Sequence, residues 1–184
     1  LFNNGTNLKI LSEFYAKKLI GSQIDFDMLF GPSYKGITLA SATSIALSIK
    51  GKNTPFAFNR KEVKKYGEGG KIIGEKISGN VLIIDDVISA GISIKESIEI
   101  IKSEGGKPCA VIIALDRLEK KQSDDNKCIL SASQEITIEY NIPVLSIANL
   151  NDLIHFLSLS TTQSDFMNFK NDVTDYRKKY CVDG

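Results

Sequence analysis

The feature that most constrains the fold of this chain is the regular alternation of short apolar runs with amphipathic segments. Apolar runs of strand length occupy residues 26–30, 56–58, 81–84, 110–115 and 144–147, and helical periodicity covers 7–20, 36–50, 93–103, 131–140, 150–157 and 165–180. Short, mostly apolar runs are typical of strands buried on both faces. The pattern therefore predicts an α/β fold with a mainly parallel β-sheet core and helices on both of its faces.

Size and charge narrow the class of protein further. With 184 residues and no internal repeat or long linker, the chain is expected to form one domain over residues 1–184. The 23 Lys and Arg residues nearly balance the 22 Asp and Glu residues, so we expect neither a nucleic-acid nor a membrane partner. Three cysteines without CxxC spacing and one histidine support no disulfide framework or zinc site, which favours reduced cysteines in a cytoplasmic protein. No apolar run approaches the roughly 20 residues needed to span a bilayer, so we expect a soluble chain.

One turn has the features of a phosphate site. The stretch VLIIDDVISAGISI, residues 81–94, places two acidic residues after a predicted strand and ahead of a small-residue turn. Ligands of open α/β sheets bind beyond the carboxyl ends of strands, where this turn lies. Backbone amides near Ala90, Gly91 and Ile92 can cradle an anion at the start of the next helix, and Ser89 and Ser93 can add hydroxyl donors. The spacing matches neither a dinucleotide-binding fingerprint nor an ordinary P-loop.

The two acidic residues of this turn, Asp85 and Asp86, have two interpretations. Acidic residues are favoured near a helix N-terminus by the helix dipole, so they could simply begin a helix. A ligand that carries a phosphate beside sugar hydroxyls would instead use the amides for the phosphate and the carboxylates for a ribose diol or a magnesium ion. The residues of the turn by themselves leave both interpretations open.

The segment Ile84–Gly91 resembles the phosphoribosyl diphosphate (PRPP) motif of type I phosphoribosyltransferases. In that family the two acids face the ribose hydroxyls and the turn holds the 5′-phosphate. PRPP synthetases and PRPP-sensing regulators share the motif, so other residues have to discriminate. This chain departs from the family at Ile92, where a second hydroxyl residue is common, and has its hydroxyl at Ser93 instead.

The segment FNRKEVKKYGEGGKIIG, residues 58–74, is the strongest discriminator. Its lysines and glycines would suit a solvated hairpin or loop, but a flexible basic loop can also close over an anionic leaving group and exclude water. The segment is similar to the catalytic loop of orotate phosphoribosyltransferases. That resemblance implies that Arg60, Lys61 and Lys64 reach the diphosphate, with Lys64 serving the neighbouring subunit of a homodimer. Tyr66 stands where the family usually has histidine.

Two further stretches agree with this family. LFGPSYKGI, residues 29–37, resembles its Gly-Pro-x-Tyr-Lys-Gly turn, in which Tyr34 and Lys35 would contact PRPP; a plain strand-to-helix turn is the alternative. Arg117 follows the next strand and is expected at the same sheet edge as the acids. The resemblance implies that it binds the orotate carboxylate together with Ser89, whereas outside the family it would pair with Asp116 or Glu119.

The resemblance implies an orotate phosphoribosyltransferase with a type I phosphoribosyltransferase fold, which converts PRPP and orotate, with Mg²⁺, to orotidine 5′-monophosphate and pyrophosphate in pyrimidine biosynthesis. A purine or uracil phosphoribosyltransferase and a non-catalytic PRPP-sensing regulator are the alternatives. Arg60, Lys64 and Asp86 would be catalytic, and Asp85 or Asp86 could assist the metal. The implied PRPP-binding residues are Tyr34, Lys35, Arg60, Lys61, Lys64, Tyr66, Asp85, Asp86, Val87, Ile88, Ser89, Ala90, Gly91, Ile92 and Ser93. Because the chain opens at Leu1, we expect that the family's N-terminal hood segment is absent, and residues 119–127 read as a surface insertion.

Overall fold

The computed structural model describes residues 2–61, 71–120, 130–159 and 164–182. The helices are α1 (Gly5–Gly21), α2 (Lys35–Ile49), α3 (Ile92–Ser103), α4 (Ala132–Tyr140), α5 (Leu150–Leu159) and α6 (Ser164–Tyr180). The strands are β1 (Met28–Gly31), β2 (Phe56–Asn59), β3 (Ile72–Gly74), β4 (Asn80–Asp85), β5 (Lys107–Asp116) and β6 (Val144–Asn149). No helix in these described ranges is both long and apolar enough to span a bilayer.

The six strands form one sheet in the order β3-β2-β1-β4-β5-β6. All neighbouring pairs are parallel except β2 with β3, which is antiparallel. The chain adds β2 on one side of β1 and then crosses to the other side to add β4. Strand order therefore reverses between β1 and β4, and this switch point is where open α/β sheets bind ligands.

Alternate residues of the central strands serve two separate cores. On one face, β4 residues Val81 and Ile83 pack with α3 and α4. On the other, Leu82 and Ile84 pack with α1 and α2. Because both faces are covered, residues 81–84 of β4 and 110–115 of β5 are apolar throughout, which explains these two runs in the sequence. The predicted fold class, a mainly parallel sheet with helices on both faces, is confirmed.

The structure extends two sequence expectations. Residues 72–74, within a segment expected to be irregular, form the edge strand β3, whose three residues pair with β2. The strand predicted at 110–115 begins at Lys107 instead, because β5 follows the whole length of β4 across a register shift between Val81 and Leu82. Neither extension changes the carboxyl ends of the strands, which carry the predicted site.

Candidate active site

A cavity of about 580 Å³ opens at the carboxyl ends of β1 and β4, and residues 33–35 and 85–94 line it. It lies at the switch point of the sheet. The β1–α2 turn and the β4–α3 turn line it. Each turn was predicted to bind ligand from its own sequence motif. Since β1 and β4 are adjacent and parallel, their following turns meet at one edge of the sheet.

Close backbone contact shapes the β1–α2 turn. A Cβ atom added to Gly31 would lie 2.0 Å from the carbonyl oxygen of Gly36, so only glycine allows this approach. The tight turn places Lys35 in the first turn of α2, where its Nζ lies 2.6 Å from Oδ2 of Asp86. The hydrogen bond to Asp86 raises the pKa of Lys35, so the ammonium stays charged at the cavity.

The two adjacent carboxylates have different surroundings. Asp86 pairs with Lys35, whereas Asp85 ends the buried strand β4 and accepts a hydrogen bond from the Asp86 amide at 2.9 Å. Burial is the main reason that the pKa of Asp85 is raised, to about 6. Beneath this tip, the fully buried Tyr15 of α1 donates its hydroxyl hydrogen to the Asp85 carbonyl oxygen at 2.7 Å. Lys35 therefore holds the Asp86 carboxylate, and Tyr15 holds the backbone of Asp85.

The β4–α3 turn presents the amino end of α3 to the cavity. Gly91 precedes α3 with a φ of 76° and caps the helix without a side-chain hydrogen bond. An added Cβ would meet only ordinary contacts, so glycine is required here by the left-handed backbone rather than by lack of room. The first amides of α3 and the positive end of its dipole thus face the cavity, as the predicted anion site would require. Ile92 and Ser93 are both exposed.

Arg117 follows β5 and reaches back to the same turn. Its Nη2 atom lies 3.1 Å from the Ser89 hydroxyl oxygen and 3.0 Å from Oε2 of Glu119. The structure therefore brings together the two residues predicted to bind orotate. It also contains one of the two acidic partners that the sequence offered as an alternative, so Arg117 makes both contacts at once.

The end of β2 adjoins the β1–α2 turn. Asn59 accepts a hydrogen bond from the Ser33 amide at 2.9 Å, and the Arg60 amide donates to the Lys71 carbonyl oxygen at 2.7 Å. The Lys61 ammonium lies 4.8 Å from the centre of the Tyr34 ring. The first two predicted loop residues thus start beside the cavity, while Lys64 and Tyr66 lie outside the described residues.

Comparison with known proteins decides among the families that share the motif. A model of the phosphoribosyl transferase domain matches residues 2–145. The orotate phosphoribosyltransferase of Herminiimonas arsenicoxydans is 54% identical over 182 residues, covering 99% of this chain and 82% of the relative. The chain belongs to the orotate phosphoribosyltransferase family. The orotate phosphoribosyltransferase of Neisseria meningitidis serogroup C is also similar, with 51% identity over 183 residues that cover 100% of this chain and 82% of the relative.

Solved orotate phosphoribosyltransferases share the architecture. The crystal structure of the Francisella tularensis enzyme is 34% identical, with a TM-score of 0.81 over 98% of this chain and 83% of that chain. The Mycobacterium tuberculosis enzyme, solved in complex with PRPP, agrees in fold at 19% identity, with a TM-score of 0.60 over 80% of this chain and 75% of that chain. The predicted family and activity, transfer of the phosphoribosyl group to orotate in pyrimidine biosynthesis, are confirmed.

Three residues that support the predicted site were not predicted from the sequence. Tyr15 bonds to Asp85, Asn59 bonds to the β1–α2 turn, and Tyr176 donates its hydroxyl hydrogen to Glu119. None belongs to a recognisable motif, and each contact joins elements distant in sequence. Tyr15 lies in the helix predicted at 7–20, but that periodicity gives no sign of the partner of its hydroxyl.

Proposed function

We propose that the cavity binds PRPP with its phosphate and its ribose on opposite walls. The amides at the start of α3, with Ser89 and Ser93, would hold the 5′-phosphate. Asp85 and Asp86 would accept hydrogen bonds from the ribose diol. The support is geometric, because a helix N-terminus and two carboxylates border the same 580 Å³ cavity. This arrangement resolves the presence of two acids at a phosphate site, since sugar hydroxyls need acceptors and phosphate needs donors.

Orotate recognition is assigned to Arg117 and Ser89. The observation that carries this assignment is the 3.1 Å contact between Arg117 Nη2 and the Ser89 hydroxyl, which joins the arginine that follows β5 to the β4–α3 turn. A guanidinium matches a carboxylate in geometry and charge. An arginine beside the PRPP cavity therefore favours a carboxylate-bearing base over uracil or a purine.

The chemical step we propose is displacement of pyrophosphate at the anomeric carbon through an oxocarbenium-like state. The leaving oxygens gain negative charge, so cations near the diphosphate lower the barrier. Lys35, Lys61, Arg60 and Lys64 would supply that charge, with Tyr34 and Tyr66 adding contacts. Asp86 would hold the ribose while it develops positive character. Positioning and charge stabilisation do most of the work in this scheme.

Magnesium is proposed to arrive with the diphosphate of PRPP. Among the described residues, no group of three or more His, Cys, Asp or Glu side chains could hold a metal by itself. The two adjacent carboxylates nevertheless suit Mg²⁺, which commonly binds one or two carboxylates together with substrate phosphates. Asp85 or Asp86 would provide that contact, and the ion would neutralise charge on the leaving group.

These assignments are tested by orotate depletion in the presence of PRPP and Mg²⁺. We expect Lys64→Ala to lower kcat about 100-fold or more, because one charge on the leaving group is lost. Arg117→Lys should raise KM for orotate more than KM for PRPP. Lys107→Ala is the matched control, since Lys107 is exposed at the opposite, amino end of β5. Full activity of Lys64→Ala would remove the loop assignment, and consumption of uracil or hypoxanthine but not orotate would remove the Arg117 assignment.

We also propose a cytoplasmic homodimer in which residues 60–70 of each subunit reach the neighbouring active site. Apolar side chains on adjacent helices support the dimer: Ile10 and Phe14 of α1 and Ile45 and Ile49 of α2 are 48–79% exposed. Apolar groups exposed together commonly mark a protein interface. Sedimentation of the full-length protein tests the dimer, and a monomer at assay concentration would contradict it.

A further inference from the structure

The C-terminal segment, residues 176–182, is joined to the residues that follow β5. The Lys120 amide donates to the Tyr180 carbonyl oxygen at 2.7 Å, and the Val182 amide donates to the Leu118 carbonyl oxygen at 2.9 Å. Between these bonds, Glu119 and Cys181 form an antiparallel bridge. Residues 180–182 therefore form a short backbone ladder with residues 118–120, directly beside Arg117.

Side chains extend this contact to Arg117 itself. Tyr176 of α6 donates its hydroxyl hydrogen to Oε1 of Glu119, and the other carboxylate oxygen of Glu119 lies 3.0 Å from Nη2 of Arg117. The same Nη2 lies 3.1 Å from the Ser89 hydroxyl oxygen. A continuous polar chain thus runs from α6 through Glu119 and Arg117 to the turn at the PRPP cavity.

This series of polar contacts can hold the Arg117 guanidinium in place while leaving some of its N–H donors unused. Both contacts are made by Nη2, and Nε is buried without a hydrogen-bond partner among the described residues. Glu119 and Arg117 are only partly exposed, at 28% and 35% of their side chains, so solvent screens their attraction less than on an open surface. The bond to Glu119 raises the pKa of Tyr176 to about 12, so the phenol remains a donor at neutral pH.

We propose that Glu119 and Tyr176 are positioning residues that hold Arg117 ready for the carboxylate of the pyrimidine substrate. An arginine side chain that is mobile before the substrate binds loses rotamer entropy when it binds. If Arg117 is already held in one rotamer, substrate binding no longer includes that entropy cost. The C-terminal segment, although remote in sequence, then belongs to the orotate side of the active site. This inference rests on the proposed role of Arg117.

The test is Tyr176→Phe in the full-length protein, which deletes one hydroxyl and leaves the ring. We expect KM for orotate to rise about three- to tenfold, as for loss of one hydrogen bond, while KM for PRPP changes by less than about twofold. Tyr180→Phe is the matched control. It deletes a hydroxyl from the neighbouring ring of the same segment, whereas the hydroxyl that donates to Glu119 belongs to Tyr176. The control should leave both KM values unchanged. An unchanged orotate KM in Tyr176→Phe, or equal rises for both substrates, would overturn the proposal.

Glu119→Gln provides a second variant in case Tyr176→Phe folds poorly, as judged by its melting temperature. It keeps the shape and an acceptor oxygen but removes the charge that pairs with Arg117, so orotate KM should again rise selectively. An unchanged orotate KM in a folded Glu119→Gln protein would also overturn the proposal.

A double-mutant cycle separates this inference from the role of Arg117. If Tyr176 acts through Arg117, Tyr176→Phe should add little to the orotate KM of Arg117→Lys. Fully additive effects would overturn the positioning role while leaving Arg117 as an orotate contact. If Arg117→Lys retains the wild-type orotate KM, the Arg117 assignment fails and the positioning role fails with it.

Discussion

At the scale of single residues, the adjacent aspartates Asp85 and Asp86 lie in different environments. Asp86 faces Lys35 at 2.6 Å, whereas Asp85 is held at the half-buried tip of β4, where its pKa is raised to about 6. Burying a carboxylate that lacks a cationic partner costs stability. A protein keeps such a group at a cavity when a ligand supplies the missing partners, which agrees with the ribose diol proposed for Asp85.

Asp85 should therefore make the unliganded protein less stable as pH rises. Between the unfolded pKa of 3.8 and the folded value of about 6, the folded state binds more protons than the unfolded state, so the free energy of unfolding falls with increasing pH. Asp85→Asn keeps the acceptor for the Asp86 amide and removes the charge. We expect it to raise the free energy of unfolding at pH 7.5 by about 1–2 kcal/mol, after allowance for solvent screening, with only a small gain near pH 4.

Urea denaturation at pH 4 and pH 7.5, without PRPP or Mg²⁺, measures this difference. Asp86→Asn is the matched control: it removes the neighbouring charge but breaks the pair with Lys35, so no gain in stability is expected. A gain for Asp85→Asn of the same size at both pH values would contradict the explanation based on burial of the charge.

The residues of the site divide into those that sequence could identify and those that it could not. Asp85, Asp86, Lys35 and Arg117 stand in short motifs whose chemistry is local. Tyr15 lies 70 positions from the carbonyl oxygen that it contacts, and this contact exists only because α1 packs beneath the tip of β4. Long-range hydrogen bonds of this kind depend on packing and leave no spacing in the sequence.

At the scale of elements, the amino end of α3 combines a rigid turn with a helix dipole. Gly91 has a φ of 76°, which costs an L-residue roughly 1–2 kcal/mol. The helix has another such glycine just beyond its other end, Gly105, with a φ of 87° and open space around the site of a Cβ. These two positions allow backbone strain to be separated from ligand binding.

We expect Gly91→Ala and Gly105→Ala to destabilise the protein by a similar amount, roughly 1–2 kcal/mol, because both force a left-handed alanine. Only Gly91→Ala should weaken PRPP binding, by about tenfold or more, since it displaces the amides proposed to hold the 5′-phosphate. Thermal unfolding and calorimetric titration with PRPP measure the two effects. Equal loss of PRPP affinity in both variants would indicate a general effect of strain and remove the amide cradle.

Elements buried on both faces were the easiest to predict. The runs at β4 and β5 are apolar at every position because α1 and α2 cover one face and α3 and α4 cover the other. β3 was missed because its three residues lie at the sheet edge, in a segment whose charges and glycines are typical of a loop. The residues of β3 form a strand because they pair with β2, although their own composition does not favour one.

At the scale of the whole molecule, strand order assembles the site from distant segments. The alternation of strands and helices predicted the class of fold, but several strand orders satisfy that alternation. The observed order puts β1 between β2 and β4, so the first residues of the basic loop begin next to the β1–α2 turn. A loop rooted beside its own cavity can serve that cavity or, in a dimer, the one opposite, and the two arrangements make different predictions.

Mixing two inactive variants distinguishes these arrangements. Lys64→Ala impairs the loop, and Asp86→Asn impairs the cavity but leaves its loop intact. If Lys64 serves the neighbouring subunit, a heterodimer contains one site in which a normal cavity meets a normal loop, so activity should rise well above that of either variant.

The two proteins, carrying different affinity tags, are refolded together and the doubly tagged dimer is assayed. Two Lys64→Ala proteins that carry the different tags and are refolded together are the control, because no site in that dimer regains Lys64. If Lys64 instead acts within its own subunit, neither mixture gains activity and the exchange of loops between subunits is wrong.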